Sequence, residues 1–167
     1  MKTIFLVYSD ILKTTRTVDD AQKLASEIDF LNESMFHEGK KEFENVLKKV
    51  KPKLAQIIQE EFINKDPTYS NKDMIKDFLT QLKERVLALK TVTLEIAFEP
   101  SQETIENIHN WILKNIDTDY VLDIVVDNNI VGGVNLTYEG KYKDFSLKKK
   151  LDEAFETKRQ EILHAIP

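Results

Sequence analysis

A change of apolar period near residue 90 constrains this chain more than any other feature. Before it, apolar residues recur at steps of three and four, the rhythm of one helix face. After it, they alternate in twos, the rhythm of a half-buried strand. A run of helices followed by a run containing strands predicts an α+β chain in two segregated parts. The first part is expected to be an antiparallel helical bundle over 1–90. The second is expected to be a small α/β domain over 91–167, with a β-hairpin and a terminal helix.

The helical part is read from its stripes. Ala21, Leu24, Ala25, Ile28 and Leu31 form one, within Asp19 to Leu31. Phe43, Val46, Leu47, Val50, Leu54, Ile57, Ile58 and Phe62 form a longer one. Pro52 interrupts it and predicts a kink or a new helix start, and Gly39 predicts the turn before it. Asp66-Pro67-Thr68-Tyr69-Ser70-Asn71 reads as a break with capping residues. Ile75, Phe78, Leu79, Leu82, Val86 and Leu89 make a further stripe. Residues 3–14 suit either a helix or a strand, and the helical company favours a helix.

In the second part, Val92, Leu94, Ile96 and Phe98 alternate with Thr91, Thr93, Glu95 and Ala97, which predicts a strand. Pro100-Ser101 predicts a helix start running to Ile116, since proline and serine suit a helix entrance and cap. Its expected apolar face is Ile105, Ile108, Trp111, Ile112 and Ile116, with Trp111 in the core. Tyr120 to Val126 reads as a second strand, and Asp127-Asn128-Asn129 as a turn. Gly132 to Tyr138, Glu139-Gly140 and Lys141 to Phe145 read as a hairpin. Ser146 is expected to cap a last helix striped by Leu147, Leu151, Ala154, Phe155, Ile162 and Leu163.

Composition narrows the chemistry. The 167 residues contain no cysteine, which excludes a disulfide scaffold, a thiolate metal site and a cysteine nucleophile. No apolar run approaches the ~20 residues that span a bilayer. The opening run Ile4 to Tyr8 is too short for a secretory core, and the segment is not Arg-rich like a transit peptide. A soluble, intracellular chain is therefore expected. Residues 1–90 carry 16 Lys+Arg against 15 Asp+Glu, whereas residues 91–167 carry 8 against 14. Without a basic stripe, nucleic-acid binding is not expected. Lys48, Lys49, Lys51 and Lys53 have acidic neighbours and read as a solvated helix face.

No catalytic constellation emerges. His37, His109 and His164 are out of helical reach of one another and form no metal-ligand motif, so no metal is expected. Glu60/Glu61 and Asp117/Asp119 lie in polar stretches that would not raise a carboxylate pKa. Ser101 and Ser146 have no histidine nearby in sequence to activate them. Gly132-Gly133 lacks the surroundings of a phosphate loop and reads as positive-φ or close-packed backbone. No cofactor is expected.

One stretch is recognisable. Val126-Asp127-Asn128-Asn129-Ile130-Val131-Gly132-Gly133-Val134, then Tyr138 to Ser146 and Leu147 to Leu151, resembles the delta subunit of F-type ATP synthases. The mitochondrial counterpart is the oligomycin-sensitivity-conferring protein. Asp127, Gly132, Gly133, Asp144, Ser146 and Leu151 occupy the places of the family motif, with Val131 where isoleucine is common. Ile96 to Pro100 resembles the family's strand end before a helix. The likeness runs over residues 92–155, while the helical part is shorter than is usual in the family and carries no convincing motif.

The resemblance implies a non-catalytic stator subunit. Its helical domain would hold N-terminal helices of α-subunits at the catalytic head. Its C-terminal domain would meet the b-subunit stalk helices, and the two together would resist rotor torque. The implied place is peripheral, on the cytoplasmic side of a bacterial inner membrane, touching the membrane only through the complex. Gly132, Gly133, Asp127, Asp144 and Ser146 read as fold-defining. Tyr8, Ile11 and Leu12 are candidates for the α-subunit contact, and Leu151, Phe155, Ile162 and Leu163 for the b-subunit contact. Each of these apolar residues also fits the core of its own domain. The alternative is a stator of a V-type, archaeal-type or secretion-system ATPase, against which the breaks at Gly39, Pro52 and Pro67 argue.

Overall fold

The computed structural model describes residues 4–37, 40–65, 72–117 and 119–165, and side chains over the same spans except 4–6, 36–37, 40–42 and 160–165. Gly39 and the break at 66–71 lie outside the described residues. Helices α1 (Ile4–Leu12), α2 (Val18–His37), α3 (Lys40–Leu47), α4 (Pro52–Ile58) and α5 (Lys72–Leu87) come first. Strand β1 (Lys90–Ile96), helix α6 (Gln102–Asn115) and strands β2 (Tyr120–Val126), β3 (Val134–Tyr138) and β4 (Lys141–Asp144) follow, and α7 (Leu147–Ala165) closes the chain. The opening segment is helical, as the stripes favoured.

The helices bury one continuous cluster from Val7 to Val86, centred on Leu24, Ile28, Leu31, Phe43, Leu54, Ile58, Ile75, Leu79 and Leu82. Tyr8 stacks on Phe78 at 5.1 Å between ring centroids, and Phe62 tilts against the same ring at 5.2 Å. Pro52 starts α4 at its first turn, where a missing N–H costs nothing. The preceding Lys51 N–H donates to Glu27 Oε2 on α2 at 2.9 Å. Beyond α4 the helix widens into a π-helical turn, Gln59–Ile63, marked by Asn64 N–H donating to Gln59 O. The wider turn lets both Phe62 and Ile63 face the core, which a strict three-and-four spacing did not foresee.

The sheet order is β2-β1-β3-β4. Strand β1 lies inside it, parallel to β2 and antiparallel to β3. Val92, Leu94 and Ile96 of β1 point to one face, where α6 lays Ile105 and Ile112 on them. The alternation was expected to include Phe98, but β1 stops at Ile96, where Asp127 N–H donates to Ile96 O. Phe98 lies past this last rung and is exposed. Trp111 also departs from expectation: it is 54% exposed. The rest of the expected α6 face packs on the sheet, with Ile105 and Ile112 buried and Ile108 and Ile116 partly buried, and His109 joins it. One helix on a four-stranded sheet has only one face to bury, and Trp111 lies a helical step of about 100° off Ile112.

The two clusters meet at the Arg16–Thr17 segment. Leu122 N–H donates to Arg16 O at 2.9 Å, and Thr17 bridges Leu122 in parallel. The Arg16 guanidinium also pairs with Glu106 on α6 at 3.0 Å.

Candidate interaction surfaces

Four of the motif residues, Gly132, Gly133, Asp144 and Ser146, converge on the root of α7, while Asp127 acts at the β2 exit. Asp127 Oδ1 accepts from Asn129 N–H at 2.9 Å and from Asn129 Nδ2 at 2.8 Å, shaping the exit from β2. Gly132 O accepts Leu147 N–H at 2.7 Å, and Phe145 N–H reaches Val134 O. Gly133 has φ +87°, and a Cβ there would lie 2.4 Å from Phe145 O and 2.9 Å from Ser146 Cα. Only glycine lets the chain pass so close to the helix start. Asp144 Oδ1 accepts Ser146 N–H at 2.7 Å, and Ser146 Oγ accepts Lys149 N–H at 3.3 Å. These bonds occupy two N–H groups at the helix start. The glycine pair, Asp144 and Ser146 together form a socket that seats α7 on the sheet.

Beyond the socket α7 stands clear. Every described side chain from Leu147 to Arg159 is exposed. Leu147, Leu151 and Phe155 form a row at four-residue steps, with Leu151 43% and Phe155 70% exposed. Phe145, Tyr142 and Val131 add exposed apolar surface near the base. The side chains of Ile162 and Leu163 lie outside the described residues. In the helical part, Tyr8 and Ile11 are 3% and 1% exposed, within the core of their own bundle. Leu12 is half-buried against the same core. Tyr8 OH donates to Gln81 Oε1 at 3.2 Å, and the Arg85 guanidinium lies 4.8 Å from its ring centroid. Burial raises the Tyr8 pKa.

A polar cluster at the hairpin turn was not foreseen from sequence. Tyr120 OH donates to Glu139 Oε1 at 2.9 Å, and Lys90 Nζ pairs with the same oxygen at 3.2 Å. The Tyr120 and Tyr138 rings lie 5.3 Å apart. The Tyr138 hydroxyl and burial push Tyr120 up to about 12, while bonds from Tyr120 and Lys90 hold Glu139 below the usual carboxylate range. The partners come from β1, β2 and the β3–β4 turn, so no local spacing announces them. Glu139 has φ +46° and Gly140 φ +72°, the paired positive values of a two-residue hairpin loop. His109, buried in α6, places Nε2 3.3 Å from Tyr120 O. Its desolvation lowers its pKa, opposed by that bond, with Arg16 lowering and Asp20 raising it further.

Among the described residues, no group of three or more His, Cys, Asp or Glu is placed to hold a metal ion, and no helix is long and apolar enough to cross a membrane. Fold and surface define a mixed α/β chain, helical first, whose sheet serves as the base for an outward terminal helix. Residues 8–157 match the family of the ATP synthase delta (OSCP) subunit, and the chain belongs to that family. It is accordingly a peripheral-stalk subunit of F-type ATP synthase, part of a complex attached to a membrane. No curated protein matches the chain.

Proposed function

We propose that this chain is the non-catalytic link between the catalytic head and the b-subunit stalk, resisting rotor torque. In this reading residues 1–90 form the head-binding domain and residues 91–167 the stalk-binding domain, on the cytoplasmic side of a bacterial inner membrane. The observation that carries it is α7, a helix of 19 residues whose described side chains are all exposed. A stable helix in water normally hides its apolar row against a neighbour. Here Leu147, Leu151 and Phe155 are exposed and belong to neither apolar cluster among the described residues, and an amphipathic stalk helix supplies a cover through anchors at helical spacing. Ile162 and Leu163 extend the same row in sequence. The α-subunit helix is assigned to α1, with Leu12 at the contact and Tyr8 and Ile11 holding α1 firmly beneath it. A torque-bearing joint needs slow dissociation more than fast association.

The test is reconstitution of the complex with Leu151→Asp/Phe155→Asp. The expected result is loss of b-subunit co-purification, by about tenfold or more in affinity, with head binding retained. Normal recovery of the b subunit with the double variant would reject this assignment.

A further inference from the structure

We propose that the outer edge of β2, beyond the Arg16–Thr17 rung, is a strand-addition site for an extended, basic segment of a partner polypeptide. The site uses a different element from α7, so its failure would leave the stalk-binding assignment standing.

The direction of the edge follows from the ladder. Lys90 N–H donates to Asp119 O and Asp127 N–H donates to Ile96 O, so the odd-numbered residues along β2 turn their backbone toward β1. Leu122 N–H points the other way, to Arg16 O. Ile124 and Val126 share that outward parity. Val18 begins α2 and takes the chain off the edge just after Thr17, so Arg16–Thr17 fills the first rung and leaves the next ones open.

A groove runs beside those rungs, with a volume of about 310 Å³. Its apolar wall includes Ile105, Leu122, Ile124 and Val126, of which Val126 is exposed. Its rim carries Asp19, Glu99 and Asp123, with Lys23 as a single basic side chain. Asp20 also lines it but is engaged by Arg16 N–H at 3.1 Å and by Lys51 Nζ at 3.7 Å. The rim therefore favours a cationic occupant.

The opposite edge shows what a guarded strand looks like. Strand β4 exposes Lys141 and Lys143, the charges that usually discourage edge pairing. The outer half of β2 instead exposes Val125 and Val126 and carries neither Lys nor Pro. An open rung, an apolar wall for alternate side chains and an acidic rim together fit addition of an extended chain, in which main-chain bonds give affinity and pockets give specificity.

The probe is a capped peptide of about ten residues with alternating Val and Lys, added to the full chain. Amide hydrogen exchange is followed by NMR. The expected result is increased protection at Ile124 and Val126, weakening with salt. Glu99→Lys/Asp123→Lys should reduce affinity about tenfold. Val126→Pro, which removes an outward N–H while sparing the β1 rungs, should weaken binding too, and so should N-methylation of alternate peptide amides. Equal binding by the N-methylated peptide, or by one with Glu in place of Lys, would overturn the proposal. So would absence of binding, or occupation of the edge by a second copy of this chain.

Discussion

Gly133 shows how tightly a single position can be specified. Its φ of +87° alone would cost a side chain about 1–3 kcal/mol. A Cβ 2.4 Å from Phe145 O would also force backbone to move. Gly133→Ala is expected to lower the unfolding free energy by at least that amount, measured by urea denaturation, and to broaden the amide signals at the start of α7. His109 acts through its proton. Its folded pKa is below its unfolded value because burial penalises the charged ring. The unfolded chain therefore binds more protons between the folded pKa and about 6.5, and stability falls as pH drops through that window. Denaturation midpoints at pH 7.5 and 5.5 should differ in that direction, and His109→Gln should flatten the difference.

At the scale of elements, α7 depends on its cap. Ser146→Ala removes the acceptor for Lys149 N–H and should cost about 1 kcal/mol. It should also let Asp144 titrate closer to an ordinary carboxylate, since the Ser146 side chain, then its backbone N–H, are the main causes holding Asp144 low. A carbon-detected NMR titration of Asp144 reads this directly. A depressed carboxylate stabilises above its unfolded pKa and ceases to as pH falls through the folded one, so the anchoring of α7 weakens in acid. These elements were legible in sequence where one local rule decided them. Pro52 began a helix, Ser101 capped one with a bond to Thr104 N–H at 3.2 Å, and β2 spans 120–126 as read. Trp111 and Phe98 misled because an apolar stripe records which residues could be buried, while the sheet decides how many there is room for. The Lys90–Tyr120–Glu139 cluster was invisible because its members meet only once the sheet forms. So were the socket's contacts, although their residues were already marked out by a family likeness.

For the whole molecule, stability and attachment are separable. The apolar clusters account for the fold, and among the described residues none of their members lies on α7. Leu151→Asp/Phe155→Asp should therefore leave the thermal midpoint of the isolated chain almost unchanged, within the about 0.5 kcal/mol typical of surface substitutions. Phe43→Ala, at a site with no exposure, should cost about 3–5 kcal/mol by contrast. A calorimetric comparison of the two distinguishes an anchor from a core residue. Junction contacts count for less individually: Arg16 and Glu106 are both partly exposed, and such pairs contribute at most about 1 kcal/mol.

The glycine-and-serine seat fastens one end of α7, and every described side chain beyond it is exposed. With 19 residues the helix is about 28 Å long, so a tilt of about 10° at its base moves its tip by roughly 5 Å. A lever pinned in this way can meet a shaft that arrives slightly off axis without bending the plate it is mounted on. Misalignment between neighbouring parts would then be absorbed as a small rotation at Gly133 and Ser146, and the sheet behind them would keep its shape.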